Sequence, residues 1–340
     1  MKRPMTVLGI ETSCDETSAA VLRGDELLSN VISSQIDIHR RFGGVVPEIA
    51  SRNHLTAILP VIDEALGKAG IDKRDIDAVA VTYGAGLVGA LLVGVSAAKS
   101  LAYSLGAPLY AVNHIEAHIA ANYLSAPDLK PPFLAVVASG GHTGVVRVDG
   151  LNKFTLLCTT SDDAIGEAFD KVARALGLPY PGGPEIDRAA RTGEANIEFT
   201  GSRKRSADAL SYSGLKTAVV NYLHNRNERG EACDIPNVCA SFQKAAVDML
   251  VDAAVSAAVR TGIKTVVAAG GVSANSYLRA KLAAEGEKHG FSVLLPPLSL
   301  CTDNAAMVAV RAKGMIEEGM PAAALDLNAV SWLKISDGRA

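Results

Sequence analysis

Aromatic residues make up only 5% of this 340-residue chain, and tryptophan occurs once. Cysteine is scarce as well: the five, at 14, 158, 233, 239 and 301, are odd in number and form no CxxC pair. That excludes a disulfide-stapled secreted scaffold and suits a reducing cytosol. Positive charge is not in excess, with 33 Lys and Arg against 36 Asp and Glu and a formal net charge of −3. A protein holding duplex by bulk charge is therefore excluded, whereas RNA met through a local patch or a second subunit is not. The apolar run at the amino terminus stops at Glu11, short of the ~7–15 residues of a secretory signal. No low-complexity tract or interdomain linker interrupts the chain.

One long uncharged stretch exists, residues 78–98, and its length alone would suit a bilayer. Residues 76–82 are β-rich, however, and Gly84, Gly86, Gly89 and Gly94 follow. A buried strand, a Gly turn and a small-residue helix against a sheet account for it. Lys99 and the lack of interfacial Trp or clustered Arg favour soluble core over a membrane span. The 49% hydrophobic and 20% charged composition is that of a folded globular protein, and the length predicts two domains.

What the chain does contain is a rough internal duplication. Residues 7–10 and 19–22 are apolar around a small polar turn, and 133–138 and 145–148 repeat that pattern around Ser-Gly-Gly-His-Thr. Each pair reads as a β-hairpin. Downstream, 76–82 leads through glycines into a helix ending near Leu105, and 265–269 leads through Gly270-Gly271 into a helix over 274–289. The expectation is an α/β protein of two lobes, each a mixed sheet flanked by helices, with Gly-rich turns lining an interlobe cleft. The lobes are expected at 1–130 with 304–340, and at 131–303. The second carries an insertion over about 178–234, rich in Gly, Pro, Arg and Lys and without clear periodicity. A final helix over 304–319 is expected to return to the first lobe.

His114 and His118 stand four apart, on one helix face, so both imidazoles can reach one cation. A third ligand must come from elsewhere. Asp303 is one candidate, Cys301 a rival, and helix capping the ordinary alternative for Asp303. A zinc protease is disfavoured because Glu116 lies about 200° round the helix from the His face. Thr82-Tyr-Gly84-Ala-Gly86-Leu-Val-Gly89 holds a GxGxxG pattern, but no acidic residue stands between Asp77 and Glu116 to take a ribose. Those glycines therefore serve helix packing or a phosphate approach. The Ser139–His142 and 270–275 turns present backbone amides suited to phosphate and nucleotide. Ser139 lacks the GxSxG context of an esterase nucleophile. Gly166-Glu167-Ala-Phe-Asp170-Lys171 and Pro181-Gly182-Gly183-Pro-Glu-Ile-Asp187 add carboxylates for ribose hydroxyls. Arg203, Lys204 and Arg205, with Tyr212, Lys216, Arg40, Arg41 and Arg52, form the natural RNA contact.

These strings are together recognisable. GIETSCDET at 9–17, FGGVVPEIASRNH at 42–54, HIEAH at 114–118 and SGGHT at 139–143 come first. DDAIGEAFDKVARALGLPYPGGP at 162–184, YSGLKTA at 212–218, GGVSANSYLRAKL at 270–282 and CTDNAAM at 301–307 follow in order. The chain resembles, over nearly its whole length, the bacterial-type TsaD family of tRNA N6-adenosine threonylcarbamoyltransferases, formerly labelled O-sialoglycoprotein endopeptidases. The resemblance implies the two-lobed actin-like ATPase (ASKHA) fold. It implies transfer of threonylcarbamoyl from threonylcarbamoyl-adenylate to N6 of adenosine 37, in tRNAs reading ANN codons, with AMP released. It implies one divalent metal per subunit, iron or zinc, on His114, His118 and Asp303. The adenylate would lie along Val137, Ala138, Ser139, Gly140, Gly141, Asp170, Gly183, Asp187 and Asn275. Asp15 matches a position linked to activity and is the candidate general base. Implied partners are tRNA, a paralogous TsaB-like subunit and a small TsaE-like ATPase, in the cytoplasm. Ala85 stands where the family often has Pro, and Asn113 where His is common. The rival reading is a kinase or ATPase of the same superfamily.

Overall fold

The computed structural model describes residues 3–199 and 209–335. Contacts divide the chain into two units: Met1–Pro131 with Asp149–Phe154 and Pro296–Ala340, and Pro132–Val148 with Thr155–Leu295. The second boundary thus falls at Leu295/Pro296, so Asp303 belongs to the first unit rather than to the segment 131–303.

In the first unit, β1 (Thr6–Glu11), β2 (Glu16–Arg23) and β3 (Glu26–Ser34) form an antiparallel meander. β4 (Ala78–Gly84) and β5 (Leu109–Asn113) extend it in parallel, giving the order β3-β2-β1-β4-β5. Every residue of β1 is buried because helices cover both faces of the sheet. Leu8 and Ile10 pack with α2 (Pro47–Ala69) and α3 (Val88–Leu105), and Val7 packs with α11 (Ala305–Glu317). Gly9 permits that second contact, since a Cβ there would sit 2.9 Å from Ala309 N.

The apolar stretch 78–98 is thereby explained. α3 is long and apolar enough to cross a membrane. It lies instead on the sheet, with Ala90, Leu91, Gly94, Val95, Ala98 and Ala102 buried. One uncharged face is helix–sheet interface, while Val88, Leu92 and Tyr103 are exposed.

The second unit repeats the topology. Its sheet contains β6 (Phe133–Ala138), β7 (Thr143–Gly150), β8 (Lys153–Thr160), β9 (Ala209–Leu210), β10 (Thr265–Ala269) and β11 (Ser292–Leu294). The order is β11-β10-β6-β7-β8-β9, which matches the first sheet strand for strand and adds β9 at one edge. β6 pairs antiparallel with β7 and parallel with β10, as β1 does with β2 and β4. The core gathers Leu134, Val136 and Ala138 of β6 with Phe169 of α6 (Ile165–Ala175) and Phe242 of α9 (Ile235–Thr261).

The third strand of each meander, β3 and β8, escaped the sequence reading because residues 26–34 and 153–160 are half exposed and carry no continuous apolar run. The segment 178–234 is not structureless. It holds α7 (Gly182–Ala190) and α8 (Ser213–Glu228), which pack on α9 and α6. Arg203, Lys204 and Arg205 lie outside the described residues.

Candidate metal centre

α4 (His114–Ala120) starts at the end of β5, where Asn113 caps it by accepting hydrogen bonds from Ile115 N at 2.9 Å and Glu116 N at 3.5 Å. One helical turn then stacks His114 over His118, ring centroids 4.6 Å apart and nearly perpendicular. Asp303 meets them from the approach to α11. Its Oδ1 lies 3.0 Å from His118 Nε2 and 3.6 Å from His114 Nε2. The three side chains offer ligand atoms all within 4.8 Å of one another.

Two alternatives close here. Asn304, not Asp303, caps α11, accepting from Met307 N at 3.1 Å. Cys301 is fully buried and its thiol points at the Pro297 carbonyl, 3.4 Å away.

Electrostatics favour a cation at this point. Glu11 ends β1 as a fully buried carboxylate, taking Thr82 Oγ1 at 2.6 Å and facing His114 Nδ1 at 3.3 Å. Ser13 Oγ stands 3.2 Å from the same nitrogen. These partners fix the ring so that Nε2 is left for a ligand role. Burial opposes a charged His114, but Asp303 and Glu11 outweigh it and lift its pKa to about 9. Burial likewise opposes ionised Asp303, yet His114 and His118 hold it down to about 2. Two imidazoles and a carboxylate, backed by an outer carboxylate, suit zinc or ferrous iron.

Asp15 is buried in the turn after β1. Its neighbours feel the same negative field. Burial, then Asp15 and Asp303, push Glu16 up to about 10, and the same causes raise the Cys14 thiol. Asp15 and Asp303 therefore act on one patch of the first unit.

Glu116 faces away from the imidazoles and is held by Arg311 of α11, at 2.7 and 3.0 Å. It cannot act as a metalloprotease base. The GxGxxG glycines are packing devices rather than a phosphate cradle. A Cβ on Gly84 would lie 2.5 Å from the Val330 carbonyl, one on Gly86 2.5 Å from the Ser13 carbonyl, and one on Gly89 2.5 Å from Ser51 Oγ.

In the second unit, Val137 and Ala138 end β6, and the Ser139–His142 turn follows. Ser139 N donates to the His142 carbonyl at 2.9 Å, and Ser139 Oγ accepts from His142 N at 3.1 Å. The hydroxyl is occupied by its own turn. Gly166, at the start of α6, abuts that turn and donates to the Ser139 carbonyl at 3.2 Å. Gly270, at φ 90°, closes in on the Ala138 carbonyl. Asp170 accepts from Gly182 N at 2.7 Å, and Gly183 is open to added side-chain atoms. Asp187 accepts from Ser276 Oγ at 2.7 Å, while Asn275 caps α10 (Ser276–His289) and donates to Gln243 Oε1 at 2.7 Å. Turns and helix starts thus gather Val137, Ala138, Ser139, Gly140 and Gly141 with Gly166 and Gly270. Asp187 and Asn275 meet at the start of α10.

Sequence alone does not single out Glu11 or Arg311. A carboxylate closing an unbroken apolar strand is the signal that Glu11 offered. Tyr212 proves to be core, fully buried, and Lys216 is paired with Asp163 at 2.6 Å, so neither belongs to an exposed basic patch.

Comparison with known proteins agrees with this geometry. A protein of Clostridium botulinum (strain 657 / Type Ba4) named tRNA N6-adenosine threonylcarbamoyltransferase is 51% identical over 341 residues, covering 99% of this chain and 100% of its own. One of the same name from Clostridium perfringens (strain 13 / Type A) is 52% identical, covering 97% and 98%. Among solved structures, full-length HypF in its phosphate- and nucleotide-bound form gives a TM-score of 0.61 at 17% identity over 98% of this chain. This chain spans 48% of that one. The ROK hexokinase of Thermus thermophilus gives 0.50 at 17% identity, covering 93% and 100%. These distant likenesses show the actin-like ATPase fold. The TsaD family, described as tRNA N6-adenosine threonylcarbamoyltransferase, matches residues 26–310, and the chain belongs to it.

Proposed function

We propose that the chain transfers the threonylcarbamoyl group of threonylcarbamoyl-adenylate to N6 of adenosine 37 in tRNAs reading ANN codons. The carbamoyl carbon forms a bond to N6, its bond to the phosphate oxygen breaks, AMP leaves, and one proton departs from the amine. The observation that carries this reading is the cluster of buried His114 and His118 with half-buried Asp303, in a chain of this family.

His114, His118 and Asp303 would hold one iron or zinc ion per subunit. Bound there, such an ion would supply Lewis acidity for the carbamoyl carbonyl. Glu11 and Ser13 orient His114 through Nδ1. Asp15 takes the proton from the attacking amine. The amides of Gly140 and Gly141 hold the phosphate, and Val137, Ala138, Ser139, Asp170, Gly183, Asp187 and Asn275 flank the adenylate. A cytoplasmic location, a TsaB-like subunit and a TsaE-like ATPase belong to the same reading.

The test is a metal-loaded assay with threonylcarbamoyl-adenylate and unmodified tRNA, with and without the partner proteins, read by nucleoside mass spectrometry. Threonylcarbamoyladenosine is expected from the wild type and not from Asp303→Ala. Absence of product under every condition, with steady ATP hydrolysis by the chain, overturns it in favour of an ATPase.

A further inference from the structure

After α11 the chain runs back across the first unit as an extended strap. Ala323 N donates to Leu109 O at 2.7 Å at the edge of β5, and Lys99 Nζ reaches Leu327 O at 3.1 Å. Val330 N then donates to Tyr83 O at 2.8 Å, and Ser331 O accepts from Gly86 N at 3.1 Å. Lys334 O accepts from Asn113 Nδ2 at 2.9 Å. The backbone on both sides of Trp332 is therefore pinned.

The indole itself is 64% exposed. A large aromatic ring in water is unusual on a strap this firmly anchored, because the anchors use backbone atoms and none requires an indole. Lys334 Nζ stands 5.8 Å from the ring centroid. Ser331 and Lys334 are polar and exposed, and Val330 and Leu333 are partly exposed beside them. The position matters too. Asn113, which anchors Lys334, caps α4 and immediately precedes His114.

A pinned ring, largely in water and with an ammonium over one face, complements a nucleobase stacked on the other face and its phosphate. We propose that Trp332 and Lys334 form a stacking subsite for an unpaired base of the tRNA anticodon loop, next to the reacting adenosine. This rests on the transferase reading above. It also supplies a local RNA contact that a chain of net charge −3 needs.

Because Trp332 is the sole tryptophan, its emission reports the subsite directly. Full-length protein is titrated with an unmodified anticodon stem-loop and, separately, with a blunt RNA duplex of equal length. Saturable quenching by the stem-loop but not by the duplex is expected. Binding of labelled stem-loop, followed by anisotropy, should weaken by about 5- to 100-fold in Trp332→Ala and recover in Trp332→Phe. Equal thermal melting of the three proteins shows that the strap is intact. No saturable emission change with stem-loop, equal quenching by the duplex, or wild-type affinity in Trp332→Ala each overturns the proposal. So does a Trp332→Ala protein that loses only its association with a protein partner. Failure of the transferase reading is seen separately, as missing product in wild-type nucleoside analysis, whatever Trp332 does.

Discussion

Arg311 directs Nε and Nη2 at the same oxygen of Glu116, at 3.0 and 2.7 Å, and both residues are only 3% exposed. Its third contact is Asn152 Oδ1 at 2.7 Å, and its guanidinium lies 5.4 Å from the Phe154 ring centroid. The pair ties the histidine helix α4 to α11. Arg311→Met strands a buried carboxylate and should cost about 3–5 kcal/mol. Adding Glu116→Leu should recover most of that loss, because the stranded charge goes too. Chemical denaturation of the two variants measures both.

Glu11 fixes the ring of His114 from behind. Glu11→Gln keeps the shape but removes the charge, and should weaken metal binding by about 10–100-fold with the fold retained. Competition with a metal-sensitive chelator gives the affinity, and far-UV circular dichroism the fold. His114→Ala and His118→Ala should each drop bound metal to well below one ion per chain by elemental analysis.

Asp162 caps a helix to which it does not belong. Its carboxylate accepts from Tyr212 N at 2.8 Å, Ser211 Oγ at 2.6 Å, and Ser213 N and Oγ at 3.2 and 2.7 Å, at the start of α8. Desolvation works against the charge, but these hydrogen bonds hold its pKa down to about 2. A depressed carboxylate stabilises the folded state above its unfolded value of about 3.9 and loses that contribution as pH falls toward 2. Asp162→Ala should cost about 1 kcal/mol at neutral pH. Melting curves of wild type and variant should converge between about pH 4 and pH 2.

Gly86 is fixed by close approach rather than by backbone angle. A Cβ would press on the Ser13 carbonyl, in the turn that carries Asp15 and positions Ser13 against His114. Gly86→Ala should lower metal affinity and melting temperature together. Gly140→Ala, where a Cβ meets open space, should leave both unchanged.

The duplicated strand–turn–strand units were legible because residues 7–10 and 133–138 are buried, uncharged and bounded by polar turns. The histidine pair was legible from its spacing. Asp303 was legible only as one of several readings, since sequence could not show that Asn304 takes the cap. Glu11, Arg311 and Asp162 act through partners at sequence separations of 103, 195 and about 50, and no local pattern encodes such pairings. β3 and β8 were hidden because half-exposed strands lack a continuous apolar run.

The first unit is assembled from the two extremes of the chain, with Asp303 and α11 arriving after the second unit has been spelled out. During synthesis, the nascent first sheet has β1 to β5 but lacks the helix that covers one of its faces. His114 and His118 on their short helix then stand without Asp303. Asp303 and the covering helix reach them only when the later segment folds back. A cation held by His114, His118 and Asp303 would therefore find its three ligands together only after residues 132–295 have been translated.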